Sequence, residues 1–242
     1  ILLQCAQQRT ETRGGGTVRL YKNNTDFDGH SYGTHENFLL RRDMPFERVI
    51  SALLPFISTR QVYAGAGKVG VEEDTRADQA IFQLAQRSDF FEVITSVDTM
   101  QRRPLVNSRD EPHADPVRWR RLHMIVGDAN MSEWATALKV GSLALVLDLL
   151  EADLVPSFEL ADSVAALKSV SRDTTYQWPV ELADGRHVSA LEIQRAYCDA
   201  ARAFALGRDE ETDWVLREWQ RAIDALGRDP LELRGMCDWV TK

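Results

Sequence analysis

His35-Glu-Asn-Phe-Leu39 and Arg121-Leu-His-Met-Ile125 are the stretches on which the fold of this chain is decided. Successive side chains of an extended strand point to opposite faces. On that period His35 and Asn37 face one way, and Glu36 and Phe38 the other. In the second stretch Arg121 and His123 share a face, while Leu122, Met124 and Val126 take the opposite, apolar one. Leu105-Val-Asn-Ser-Arg109 repeats the phase, with Asn107 and Arg109 in register. Three strand candidates with polar residues two apart predict one sheet with a polar site on one face.

The residue types at that site narrow its chemistry. Imidazoles ligate divalent cations, and arginine makes planar, multidentate contacts to phosphate. Asn reads a nucleotide edge or holds a phosphate. The set suits a metal-nucleotide site better than a Ser-His-Asp hydrolase, because no nucleophile elbow is present. A zinc site is disfavoured by the absence of His-x-x-x-His or Cys-rich spacing. A histidine at a strand edge also serves as an ordinary hydrogen-bonded residue, and that alternative stands for His35 and His123 on spacing alone. His30 and His187 read as solvated. His113 lies in Asp110-Glu-Pro-His-Ala-Asp115, which reads either as a self-capped turn or as a rim that orders substrate or Arg109.

Gly65-Ala-Gly-Lys-Val-Gly70 matches G-x-G-x-x-G, but Val71-Glu-Glu-Asp-Thr-Arg-Ala-Asp78 follows instead of an apolar helix. No Lys-Ser or Lys-Thr pair completes a phosphate loop. A strand-and-turn element is the expectation.

At 242 residues the chain can bury one substantial core, or a large and a small domain. A net charge of −8 argues against a general nucleic-acid or anionic-membrane binder. The longest apolar run, Leu143 to Leu150, is too short to span a bilayer and is broken by Asp148. Cys5, Cys198 and Cys237 show no metal spacing and would leave an odd thiol, which points to a reducing cytoplasm. Residues 1–9 read as the second half of an amphipathic helix.

Along the chain, Arg13-Gly-Gly-Gly16 is a connector and Thr17 to Lys22 a strand candidate. Asp43 is the expected N-cap of a helix through Phe46, Val49, Ile50, Leu53 and Leu54, which Pro55 should end or kink. Ile81 to Leu84, Pro104 to Ser108 and Arg120 to Val126 are further strands. Ser132 caps the strongest helix, Glu133 to Glu151, with Leu138, Leu145 and Leu149 buried. Trp178 to Leu182 and Arg186 to Val188 form a hairpin around Asp184-Gly185. Ser189 with Glu192 is a capping box, and two more helices follow. The fold class is α+β, an antiparallel sheet packed by helices.

Two segments carry a resemblance. Tyr21-Lys-Asn-Asn-Thr-Asp26 with Gly33-Thr-His-Glu-Asn37, and Asn107 to Asp115 with Arg120 to Asn130, resemble the enzymes of the Pup-tagging system almost residue for residue. These are the ligase that attaches prokaryotic ubiquitin-like protein (Pup) to lysines, and its paralogue, the depupylase/deamidase. The resemblance runs from about Leu20 to Lys242. It implies a glutamine-synthetase-like curved sheet cradling ATP and magnesium, with residues 1–172 in the catalytic domain and 173–242 as a smaller hairpin and helical region. His35 and His123 match metal-side histidines, and Asn37 and Arg121 match nucleotide or phosphate contacts, with Arg109 on the same face.

The family's metal-binding glutamates and essential aspartate belong to a segment preceding Ile1, so Asp26, Asp110 and Asp115 are not assigned that role. The chain is expected to be part of a larger enzyme or a catalytically silent Pup-binding fragment. Thr34, Ala64 to Gly70, Gln86 to Glu92 and Leu143 to Leu150 look more like the depupylase than the ligase, while Asn130-Met-Ser-Glu133 fits both. The implied activity is hydrolysis of the Pup–lysine isopeptide bond and deamidation of Pup's C-terminal glutamine by a monomeric cytoplasmic enzyme, with ATP and magnesium as cofactors. Pup and pupylated proteins are the expected partners.

Overall fold

The alternation of Glu36, Phe38 and Leu40 against Asn37, Leu39 and Arg41 builds β1 (Glu36–Arg41), an edge strand with one face toward the core. A computed structural model describes residues 2–13, 18–19, 21–26, 29–32, 34–70, 82–98 and 102–242. β1 pairs antiparallel with β6 (Trp119–Met124), which pairs antiparallel with β5 (Pro104–Asn107). A fourth strand, β4 (Val93–Ser96), joins β5 in parallel, giving the order β1-β6-β5-β4. The α+β class therefore holds, but the sheet is mixed. Seven residues, 97–103, separate the parallel partners, and that link suffices because both strands are only four residues long.

Helices cover the back of this sheet. Helix α4 (Glu133–Glu151) opens on Ser132, whose hydroxyl accepts the Ala135 amide. It contacts the sheet at β1 and packs against α2 (Phe46–Thr59), α3 (Gln61–Ala64), α6 (Ala190–Ala205) and α7 (Glu210–Arg228). Leu138, Leu145 and Leu149 are buried in it as expected. One hydrophobic cluster runs from Leu40, Leu122 and Met124 of the sheet through α4 to Tyr197 and Trp219. Among the described residues no helix is long and apolar enough to cross a membrane.

The remaining elements are α1 (Leu2–Arg13), the two-residue strands β2 (Lys68–Val69) and β3 (Phe82–Gln83), α5 (Ser163–Arg172), the hairpin β7 (Pro179–Glu181) and β8 (His187–Ser189), and α8 (Asp238–Thr241). Both halves of the Ser189–Glu192 capping box form. The glycine-rich segment supplies β2, as a strand-and-turn element should.

Several local expectations are corrected. Val18, Arg19, Tyr21 and Lys22 form no strand; Thr17 and Leu20 lie outside the described residues, as do Gly14 to Gly16, Gly33 and Ile81. Asp43 does not cap α2: Pro45 occupies that position without a side-chain bond, and Asp43 pairs with Arg41. Pro55 does not end the helix, which runs on to Thr59. Pro55 removes only one amide donor, in the second half of the helix, and is itself buried. Trp178 has φ 46°, so β7 starts one residue later.

Candidate functional site

The front face of the sheet gathers the residues that the period-2 phase placed together. Asn37 on β1 lies opposite His123 on β6, and Leu39 lies opposite Arg121. His123 Nε2 and His35 Nδ1 are 2.9 Å apart in a hydrogen bond, with ring centroids 4.9 Å apart. Arg121 Nε donates to Asn37 Oδ1 at 2.7 Å. Asn107, opposite His123 on β5, donates to the Val97 carbonyl and accepts the Arg109 amide at 2.8 Å. Beside the Asn37–Arg121 pair, Leu39, Pro112 and His113 help enclose a cavity of about 340 Å³. His113 lines it from a left-handed backbone conformation, φ 52°.

Two arginines absent from the sequence-based set complete the site. Arg87, 0% exposed, follows β3 in a tight turn. Its Nε donates to Ser31 Oγ, and one terminal nitrogen donates to the carbonyls of Ile125 and Gly127. The other terminal nitrogen is buried with no partner. Arg103 donates to the Ser31 carbonyl at 3.3 Å. No periodic signal marks Arg87; its segment entered the sequence reading only through resemblance. Behind it, the Asp128 carboxylate accepts the amides of Ala66, Gln86 and Arg87, which locks the turn in place.

The electrostatics of this face are one-sided. Burial lowers the pKa of His35, and the charges of Arg87, Arg103 and Arg121 lower it further. Burial likewise depresses His123, with Arg121, His35 and Arg109 adding to it, down to about 4. Burial also pushes Arg87 down to about 10, against the pull of Asp128. Arg121 lines the cavity, and the charges of Arg87, Arg103 and Arg109 act on the histidine pair beside it, so this face favours an anion.

Such a face suits the phosphates of a nucleotide. It does not by itself suit magnesium, which prefers octahedral oxygen ligands. Two imidazoles are the metal-type donors here, and no group of three His, Cys, Asp or Glu side chains converges among the described residues.

On the back of β1, Glu36 is 6% exposed and takes a forked contact from Arg60 at 2.7 and 3.0 Å. Arg60 also donates to the Val126 carbonyl, and buried Lys139 donates to the Asp128 carbonyl. This buried ionic layer sits directly beneath His35 and Asn37.

Comparison with known proteins decides the family: the Pup-ligase protein family model matches residues 1–242. The chain belongs to the Pup-ligase family. It is 45% identical to a depupylase from Acidothermus cellulolyticus, which covers all of this chain and 49% of that protein. It is 47% identical to a Pup–protein ligase from Gordonia bronchialis, over all of this chain and 54% of that protein. A solved structure of the Pup ligase PafA in complex with ADP superposes with a TM-score of 0.81 at 39% identity, covering 99% of this chain and 54% of the other. The chain thus spans about half the length of the Pup-ligase family members it matches, and those members include both a depupylase and a ligase by name.

Proposed function

We propose that this chain forms the histidine–arginine half of the nucleotide site of a Pup-processing enzyme, and that the enzyme is a depupylase/deamidase. The carrying observation is the positive front face, where Arg121 lines the cavity and the charges of Arg87, Arg103 and Arg109 act on the histidine pair, in a fold whose relative is known in complex with ADP. Asn37, Arg121 and Arg109 would hold the nucleotide beside the neutral His35–His123 pair, with the buried charge of Arg87 behind them. Magnesium belongs to this reading as the nucleotide's companion; its oxygen ligands would come from carboxylates outside this chain. The substrate is a Pup conjugate, and the reaction is hydrolysis of the isopeptide bond to lysine, with deamidation of Pup's C-terminal glutamine as its counterpart. A reducing cytoplasm fits three unpaired cysteines.

Ligase activity is the competing assignment. Identities of 45% and 47% do not separate the two, so the preference rests on Thr34 and the segments 64–70, 86–92 and 143–150. The full-length protein, incubated with a Pup–substrate conjugate and with free Pup plus substrate, each with ATP, tests the choice. Release of Pup from the conjugate supports the depupylase. New conjugate formation with stoichiometric loss of ATP would replace it with the ligase.

A further inference from the structure

We propose that Asp110, clamped by Arg42, is a positioning residue that aims Arg121 at the anion site; the inference rests on the nucleotide reading above. The β5–β6 ladder pairs Val106 with Met124 and Asn107 with His123, and β5 ends there. The Arg121 amide, two residues along β6, has no β5 carbonyl to meet. Asp110 Oδ1 accepts it instead, at 3.2 Å. A side-chain carboxylate thus continues the ladder where the strand runs out.

Asp110 is itself held. Arg42, the first residue after β1, donates to its two oxygens at 2.7 and 3.1 Å, and also donates to the Trp119 carbonyl at 3.0 and 2.7 Å. Arg120 Nε stands 3.7 Å from the same carboxylate. One carboxylate therefore ties the end of β1, the body of β6 and the loop after β5. Arg109 is caught between this clamp and Asn107, which accepts its amide. Of the arginines near the histidine pair, Arg121 takes its backbone placement from Asp110, and Arg109 takes its own from Asn107. A forked arginine–carboxylate contact gives the geometric definition this role needs.

The experiment is calorimetric titration of the full-length protein with ADP, alongside Arg42→Ala, Asp110→Asn and, from the same turn, Asp115→Asn. The Kd should rise about tenfold for the first two, the loss of one charge-assisted hydrogen bond's worth of placement, and less than about twofold for Asp115→Asn. In an Arg121→Ala background, Arg42→Ala should add little, because the two act through one contact. Where Arg42→Ala does not fold, Arg42→Lys carries the test, since it keeps the charge and loses the fork. An unchanged Kd with a lowered melting temperature would make the clamp a loop staple only and overturn the inference. Fully additive losses in the double variant would do the same. Failure of the unaltered protein to bind ADP would overturn the nucleotide reading and this inference with it.

Discussion

His35 and His123 are hydrogen-bonded to each other, Nδ1 to Nε2 at 2.9 Å, so the pair presents one free ring lone pair instead of two. Each neutral imidazole has one N–H and one bare nitrogen. If His123 donates, its Nδ1 is bare and His35 Nε2 carries a proton. If His35 donates, the reverse holds. Coordination of a metal by both rings therefore requires this bond to open. Burial first, and then the surrounding arginines, favour the neutral pair, because a charged ring would lose solvent and be repelled by them.

Arg121→Ala should weaken ADP binding by about 1.5–3 kcal/mol, on the order of 10- to 100-fold, because a charge-assisted phosphate contact is lost. The Arg121 side chain bonds Asn37 on a partly open face, so the melting temperature should shift little. Calorimetric titration and a thermal melt on one preparation check both halves.

Glu36→Gln should destabilise the fold by about 3–5 kcal/mol, since it leaves the Arg60 guanidinium buried without its counter-charge. Replacing Glu36 and Arg60 together with apolar residues of similar size should cost far less. Urea unfolding of Glu36→Gln and the double variant measures the difference; a double-variant loss no smaller than that of Glu36→Gln would show that the unpaired Arg60 charge is not what costs stability.

Lys139 sets an alkaline trend. Burial pushes its amine down to about 8, with Glu36 opposing. Between about pH 8 and the ordinary lysine value of 10.5, the unfolded chain keeps a proton that the folded chain has shed, so this group's contribution to stability rises with pH. Relative to Lys139→Met, the unaltered protein should gain on the order of 2 kcal/mol from pH 8 to 10. Paired urea midpoints across that range read it, and a flat difference would mean the amine titrates normally.

The 242-residue chain alone should not release Pup from a conjugate, whereas the full-length protein should. No metal-binding carboxylate cluster is present among the described residues, and two imidazoles are poor magnesium ligands. Pup release by the isolated chain at a rate near that of the full-length protein would place the chemistry within these residues.

The sequence by itself determined the elements whose signals are local. Period-2 alternation put Asn37, Arg121 and His123 on one face, because strand side chains alternate whatever surrounds them. Ser132, the Ser189–Glu192 box and Asp184-Gly185 marked helix starts and a turn through bonds spanning a few residues. What tertiary structure decided lay between elements far apart in the chain. Arg87 reaches the site from a turn with no periodicity, held by Asp128 some forty residues away. The Glu36–Arg60 pair forms because α2 delivers a guanidinium beneath β1, where an isolated strand would have left that carboxylate in water. Pro55 stays helical because the burial of α2 around it outweighs the one amide it lacks. Local pattern reports the geometry of one element; a buried charge reports its partner, and only packing brings the partner in.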